Sequence, residues 1–275
     1  MISKPIRLAQ SPRKKVWGAT HLAPWYPDSD EKTGEIWFLP PDGVKLPILV
    51  KFIYTSAPLS VQVHPDDAYA ASHDGLAGKT EMSYILRAEP GASLALGLNQ
   101  PITRERLREA SLSGEIEHML GTFPVAPGEV YFTSAGTIHA IGAGVTLCEI
   151  QQNTDLTYRL YDYGRPRELH LDQAVEVALL ESHPGRSTPQ RLSGGRQLLA
   201  NCDYFVAERW VVERATACRL KRWSRQQLIF LEGSGLLGGE EFETGDVWLI
   251  PSGEGEIILY PSGSVTLLCA YMPSR

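Results

Sequence analysis

The chain has 275 residues, 43% of them hydrophobic, which is enough to bury a sizeable core as one large domain or two smaller ones. Its 26 basic and 32 acidic residues give a formal net charge of -6, so we expect no nucleic-acid partner, no anionic membrane surface, and phosphate binding only by a few local cations. Four widely spaced cysteines favour a reducing compartment, and no segment approaches the ~20 apolar residues that span a bilayer. We therefore expect a cytoplasmic monomer or small homo-oligomer.

Short β-forming runs separated by Gly and Pro dominate the chain. They predict strands over residues 46–54, 59–64, 82–87, 130–133, 145–151, 204–212, 227–231, 246–250 and 264–271. Helical periodicity is limited to residues 66–72, 104–120 and 171–181. The pattern predicts a mainly β protein, a sandwich or barrel that carries a few helices.

Two segments share one spacing of turn residues. Residues 128–139 read G-x5-S-x-G-x2-H and residues 245–256 read G-x5-P-x-G-x2-E. This spacing resembles the second motif of the cupin barrels, in which the histidine points into the barrel. We therefore expect two cupin-like (jelly-roll) barrels, with a metal only in the first, because Glu256 stands where the second histidine would be.

The predicted domain boundaries follow from a stretch rich in Ser, Pro and Gly after residue 181. The expected division is a metal-binding catalytic domain over residues 1–183 with a helical insertion around 104–120, a linker over 184–196, and a smaller metal-free domain over 197–275.

The run Leu59 to Pro65 alternates strictly between polar and apolar residues. As a strand it places Ser60, Gln62 and His64 on one face and two valines on the other. A polar row opposite a core must face water or a lined cavity, because unpaired buried polar groups cost about 1–3 kcal/mol each. An ordinary solvated strand face would explain the same pattern.

Two further residues extend this set, namely Glu81, just before a predicted strand, and His139, at the end of the first cupin-like motif. Two imidazoles, one carboxylate and one amide oxygen suit a borderline divalent ion. Zinc is favoured, and manganese, iron and cobalt stay open.

Several segments strongly resemble the short bacterial form of the type I mannose-6-phosphate isomerases, in that family's order. They are P-I-L-V-K-F from residue 47, L-S-V-Q-V-H-P-D-D from residue 59, G-K-T-E from residue 78, G-T-I-H-A-I-G from residue 136 and E-I-Q-Q-N-T-D-L-T-Y-R from residue 149. The resemblance covers roughly residues 10–275. It implies an isomerase that interconverts mannose 6-phosphate and fructose 6-phosphate through an enediol(ate), with one Zn2+ per chain and a small phosphorylated sugar as its partner.

The resemblance also implies roles for individual residues. The metal ligands it implies are Gln62, His64, Glu81 and His139. The catalytic residues are Arg159, Glu149 and Lys79, with Glu149 the first candidate for the proton-transferring base and Lys79 or a metal-bound water behind it. The substrate-binding residues are Lys51, Ser60, Lys79 and Arg159.

One segment departs from the family pattern, which usually reads close to G-E-S-W-E where this chain has G-E-I-W-F over residues 34–38. Three alternatives stay open at this stage. They are a Fe(II) oxygenase built on two histidines and a carboxylate, a sugar-phosphate-binding regulator without turnover, and an isomerase of a related aldose or of free mannose.

Overall fold

The computed structural model of the chain describes residues 4–213 and 218–273. Its strands form four sheets of seven, six, five and four strands. The expected fold class, mainly β with a few helices, is confirmed. Each sheet is a linear array with two edge strands, so the sheets stack as open layers and do not close into barrels.

The strands of the first part of the chain are β1 (Ile6–Arg7), β2 (Ala9–Ala19), β3 (Thr33–Leu39), β4 (Ile48–Tyr54), β5 (Val61–Val63), β6 (Glu81–Ala88), β7 (Ser93–Leu98), β8 (Leu120–Pro124), β9 (Val130–Thr133), β10 (His139–Ile141), β11 (Val145–Gln152) and β12 (Tyr158–Tyr161). Those of the second part are β13 (Gln190–Arg191), β14 (Arg196–Asn201), β15 (Val206–Val212), β16 (Cys218–Lys221), β17 (Gln226–Glu232), β18 (Gly235–Leu237), β19 (Glu240–Phe242), β20 (Val247–Ile250), β21 (Glu256–Pro261) and β22 (Val265–Tyr271).

The helices are α1 (Asp67–His73), α2 (Arg104–Ser113) and α3 (Leu171–Val177). Helix α1 begins at an N-cap aspartate, Asp66, whose side chain accepts a hydrogen bond from the backbone N–H of Tyr69. Helix α2 is shorter than the predicted 104–120, because Gly114 takes a left-handed conformation (φ 83°) and a 3-10 turn, Glu115–His118, follows it. No helix in the described residues is long and apolar enough to cross a bilayer.

Four hydrophobic clusters show how the layers stack. The five-stranded sheet, in the order β12-β5-β10-β7-β8, packs on one side against α2 and α3 and on the other against the six-stranded sheet, β2-β3-β4-β11-β6-β9. The six-stranded sheet packs in turn against the seven-stranded sheet, β1-β20-β17-β22-β15-β14-β13. The four-stranded sheet, β16-β21-β18-β19, covers the far face of the seven-stranded sheet.

The two ends of the chain share one core. Strand β1 pairs antiparallel with β20, and one buried cluster joins Phe52 and Met82 to Phe205 and Ile229. The predicted linker, residues 184–196, contains strand β13 and the first residue of β14. The division into two domains stays a prediction.

Candidate metal centre

Three of the four predicted metal ligands converge between the five-stranded and six-stranded sheets. His139 opens β10, Glu81 opens β6, and His64 follows β5 directly. All three side chains are buried, and one ligand atom from each lies within 4.8 Å of the others. The fourth, Gln62, pairs opposite His139 in the antiparallel ladder, and its side-chain nitrogen lies 3.2 Å from His139 Nε2.

Hydrogen bonds to backbone carbonyls fix the tautomer of both imidazoles. His64 Nδ1 lies 2.9 Å from the carbonyl oxygen of Leu156, and His139 Nδ1 lies 2.9 Å from that of Thr137. A carbonyl can only accept a hydrogen bond, so each Nδ1 carries the proton and donates it. Each Nε2 is therefore left with a lone pair, the form in which histidine binds metal ions.

Burial and charge keep these groups in their ligand forms. Burial, and for His64 also the charge of Lys79, lowers the pKa of both histidines, which favours neutral imidazole. Burial acts to raise the pKa of Glu81, but the positive charge of Lys79, 2.8 Å away, opposes it, and the pKa lies below its ordinary value. Glu81 is thus an ionised carboxylate between two neutral imidazoles.

The cluster fits a divalent cation. The Oε1 atom of Glu81 lies 3.2 Å from His139 Nε2, and its Oε2 atom is buried without a well-aligned hydrogen bond from any described residue. The Lys79 ammonium lies 2.8 Å from that Oε2 atom and 3.2 Å from His64 Nε2, so a positive charge already sits among the ligand atoms. Rotation of the Gln62 amide offers a neutral oxygen beside them. Two nitrogens and two oxygens suit zinc or a neighbouring transition metal.

A second carboxylate, Glu149, lies on the six-stranded sheet beside this cluster. It pairs opposite Lys51 in the β4–β11 ladder, and its Oε1 atom lies 3.5 Å from Lys51 Nζ and 3.6 Å from Lys79 Nζ. That atom is buried and has no hydrogen-bond partner among the described residues. Burial and the charge of Glu81 raise the pKa of Glu149, although both lysines oppose the shift.

A cavity of about 490 Å³ opens onto these groups. The predicted residues that line it are Lys51, Ser60, Gln62, Lys79, Glu149 and Arg159. His64, Glu81 and His139 do not line the cavity, because they lie deeper, in contact with Gln62 and Lys79. A ligand in the cavity would therefore reach the cluster at Gln62 and Lys79.

The part of the cavity wall that Arg159 and Arg167 form is cationic, and Arg159 pairs opposite Gln62 in the β5–β12 ladder. The Arg159 side chain extends from β12, is partly buried, and makes one long hydrogen bond, 3.4 Å, to the carbonyl of Glu168. Burial and the charge of Arg167 lower the pKa of Arg159, so the two guanidinium groups are close. Asp162 accepts two hydrogen bonds from Arg167, at 2.5 and 2.6 Å, whereas Arg159 forms no ion pair with a described residue.

Several ionisable residues of the cavity wall are not among the predicted site residues, including Lys15, Glu35, Arg167 and His170. Glu35 is buried, accepts a hydrogen bond from Trp37 Nε1 at 2.8 Å and lies 3.4 Å from Lys15 Nζ. The alternation of residues 35–38 could have revealed it, because Ile36 and Phe38 enter the core and Glu35 faces the other side.

Known proteins resemble the whole chain. It is 33% identical to the mannose-6-phosphate isomerase ManA of Bacillus subtilis, with 94% of this chain and 96% of that protein covered. It is 32% identical to a mannose-6-phosphate isomerase of Streptococcus mutans, with 77% of this chain and 80% of that protein covered. No protein-family model matches the chain.

Solved structures agree with these relatives. The mannose 6-phosphate isomerase from Bacillus subtilis superimposes with a TM-score of 0.85 at 28% identity, covering 98% of this chain and all of that one (100%). A mutant phosphomannose isomerase from Salmonella typhimurium shares the fold, with a TM-score of 0.78 at 17% identity and with 98% of this chain and 100% of that one covered.

Proposed function

The chain belongs to the mannose-6-phosphate isomerase family, and on that premise we propose that it interconverts mannose 6-phosphate and fructose 6-phosphate as a zinc-dependent aldose–ketose isomerase. The observation that carries the proposal is the buried cluster of His64, Glu81 and His139, in which both imidazoles keep Nε2 unprotonated. It lies beside Glu149, a buried carboxylate with a raised pKa.

The reaction moves a proton between C2 and C1 of the open-chain sugar and a hydroxyl proton between O2 and O1, through an enediol or enediolate. In the proposal Glu149 takes this proton from one carbon and returns it to the other. A raised pKa suits a general base that works near neutral pH, and an unpartnered Oε1 atom can accept the proton without first losing a hydrogen bond. Lys79, 3.6 Å from that atom, is the second candidate for proton transfer.

The metal ligands in the proposal are Gln62, His64, Glu81 and His139, with one ion per chain. When bound, a divalent ion supplies Lewis-acid polarisation of the sugar carbonyl and stabilises negative charge on the neighbouring oxygens. Glu81 is the single anion of the ligand set, so positive charge remains to face the developing enediolate. Lys79 adds to that positive charge from 2.8 Å away.

The phosphate group would bind at the cationic wall of the cavity. Arg159 is the principal candidate, because a guanidinium binds phosphate with two hydrogen bonds and Arg159 forms no ion pair with a described residue. Arg167 already donates two hydrogen bonds to the Asp162 carboxylate, so it contributes positive charge but does not offer that pair of donors to the phosphate. Lys51 and Ser60 line the same cavity and would contact the sugar hydroxyls.

We place the enzyme in the cytoplasm in this proposal. All four cysteines are free thiols, and Cys148 and Cys269 are buried. Free buried thiols suit a reducing compartment.

A coupled assay tests the proposed activity. Purified protein is given mannose 6-phosphate, and fructose 6-phosphate formation is followed before chelation, after chelation and after zinc is restored. The proposal expects activity that chelator removes and zinc returns, with and without oxygen, since isomerisation consumes none. An inactive zinc-loaded protein that binds the sugar phosphate would contradict it and favour the regulator.

Matched histidine variants connect this assay to the cluster. His64→Gln removes a proposed ligand, whereas His73→Gln changes an exposed histidine at the end of α1. We expect zinc-restored activity to be lost in the first variant and kept in the second. Equal activity in both would show that the metal, if required, binds elsewhere.

A further inference from the structure

A second cavity, of about 390 Å³, lies between the seven-stranded and four-stranded sheets. It shares no lining residue with the cavity beside the metal cluster. Its wall includes Arg196, Glu208, Trp210, Lys221, Trp223 and Tyr271. Its volume falls within the range of about 300–1,000 Å³ that small-molecule sites occupy.

The floor of this cavity is aromatic and held in place by a buried carboxylate. Glu208 accepts hydrogen bonds from Trp210 Nε1 and from the Tyr271 hydroxyl, both at 2.7 Å. Arg196 lies over the Trp210 ring, 5.8 Å from its centroid, and 3.5 Å from Glu208. The two rings therefore have fixed orientations before any ligand arrives.

The rim carries an exposed indole on a rigid turn. Trp223 is 53% exposed and stands edge-on to Tyr271, with ring centroids 4.7 Å apart. The adjacent Arg222 donates hydrogen bonds to the carbonyls of Pro251 (2.9 Å) and Glu254 (3.1 Å). From the buried side, Gln226 Nε2 donates to the Lys221 carbonyl at 2.7 Å. An aromatic surface fixed in this way loses little entropy when a ligand stacks on it.

The cavity also holds an excess of positive charge in a protein whose formal net charge is -6. Arg196 is balanced by Glu208, and Arg219 by Glu256 at 3.1 Å, whereas Lys221 forms no ion pair with any described residue. Lys221 is exposed, so its ammonium group is accessible to an anionic ligand.

We propose that this cavity is a second, non-catalytic site for a phosphorylated sugar, whose ring stacks on Trp223 and whose phosphate contacts Lys221. A sugar ring presents C–H bonds to an indole face, and a lysine ammonium group is a common partner of phosphate. Behind the cavity the two sheets enclose an apolar core in which Phe230 stacks on Phe242 at 3.9 Å. Among the described residues a His/Glu cluster of the metal-binding type occurs only at His64, Glu81 and His139, and the second cavity contains none of these residues.

Cysteine labelling tests this site separately from the active site. Cys218 lines the second cavity, Cys202 is also partly exposed but lies outside both cavities, and the other two thiols are buried. Labelling by a maleimide is followed by peptide mass spectrometry with mannose 6-phosphate, mannose, inorganic phosphate or guanosine monophosphate. At ten times its Kd a ligand slows labelling of Cys218 about tenfold, by mass action, and leaves Cys202 unchanged.

Each outcome decides the proposal. Protection by mannose 6-phosphate but not by mannose or phosphate alone supports a sugar-phosphate site. Stronger protection by guanosine monophosphate supports the same site and shows that the bound sugar phosphate is part of a nucleotide. Absence of protection by all four compounds at millimolar concentration overturns the proposal. Equal protection by inorganic phosphate overturns the role of the aromatic residues.

Substitutions in the second cavity and a fluorescence measurement test the site even if the Cys218 thiol reacts poorly with the maleimide. Lys221→Ala combined with Trp223→Ala should abolish protection and keep isomerase activity, whereas Tyr260→Ala, an equally exposed aromatic at 51%, should change neither. The fluorescence of Trp223 is the difference between the wild type and Trp223→Phe. The ligands that protect Cys218 should quench it. Protection that survives the double substitution, or the absence of Trp223 quenching in the wild type, contradicts the proposal.

Discussion

Gln62 and His139 face each other across the β5–β10 ladder, with Gln62 Nε2 3.2 Å from His139 Nε2. The register that brings them together is fixed by Val61 and Val63, which flank Gln62 and are fully buried at 0% exposure. A shift of one residue would turn both valines toward the metal cluster and the polar side chains into the helix-covered core. The local alternation thus determines one edge of the proposed metal centre.

Gln62→Leu should weaken metal binding, because it removes an oxygen donor and leaves an apolar group beside His139. We expect at least about a 10- to 100-fold loss of zinc affinity, since removal of a group that only hydrogen-bonds to a metal ligand already costs that much. Competition with a chromophoric chelator measures it. Gln227 is a buried glutamine outside the cluster, and its side chain donates a hydrogen bond to the Ile48 carbonyl at 3.0 Å. The control variant Gln227→Leu should leave zinc affinity unchanged. Equal affinity in Gln62→Leu and wild type would remove Gln62 from the ligand set.

The activity should fall in acid at a pH above the ordinary titration range of a glutamate. Glu149 must be ionised to act as the base, and its pKa is raised, so kcat/KM declines as pH falls through a pKa above that of an ordinary glutamate. The positive charge of Lys51 lowers this pKa. Lys51→Met should therefore move the acidic limb to higher pH.

A pH profile of kcat/KM for wild type, Lys51→Met and Lys15→Met checks this prediction. Lys15 lines the same cavity but pairs with Glu35, so its substitution should leave the acidic limb in place. A limb that persists at the same pH in Glu149→Gln would assign the titration to another group and contradict the proposed base.

Arg159→Ala should raise the KM for the sugar phosphate more than it lowers kcat, if the guanidinium binds the phosphate in both ground and transition states. A charged hydrogen-bonded contact is worth about 1.5–3 kcal/mol, which corresponds to about a 10- to 150-fold rise. Steady-state kinetics with Arg186→Ala, an exposed arginine paired with Glu129, provide the control. A large loss of kcat at constant KM would instead indicate stabilisation of the transition state alone.

The core between the six-stranded and seven-stranded sheets should make the protein unfold in one step. Phe205 is fully buried in this core, where its ring lies 6.3 Å from that of Phe132. Phe205→Ala should lower the free energy of unfolding by about 3–5 kcal/mol and keep a single transition. Denaturant unfolding followed by fluorescence and circular dichroism measures both quantities. Two separate transitions in the wild type would show that the two halves of the chain fold independently.

Local sequence patterns predict the individual strands of this molecule better than they predict which distant strands pair. Alternation around Gln62 and His64 correctly placed a polar row opposite buried valines, and apolar runs located most central strands. The two-residue segment Ile6–Arg7 contains no pattern that would predict its pairing with β20. That contact joins residues more than 200 positions apart. The end of α2 was predictable from Ser113 and Gly114, because glycine favours the left-handed conformation that ends helices.

Some residues of the proposed site follow from local sequence patterns, and others depend on contacts between distant segments. Gln62 follows from strand alternation, whereas Glu81 precedes its strand and depends on resemblance to a family. Glu35 was overlooked because its segment departs from the family pattern, although its own alternation with Ile36 places it opposite the core. The proximity of Glu149 to Lys51 and Lys79 depends on sheet order, which single-strand patterns do not encode.

The most direct test of the account is a zinc titration of metal-free protein in which bound zinc and isomerase rate are measured on the same samples. We predict that the rate of fructose 6-phosphate formation rises in proportion to bound zinc and that both saturate at one ion per chain. The Glu81→Gln variant should bind less zinc and lose rate in parallel. Full activity in metal-free protein, or saturation with zinc without activity, would contradict the account.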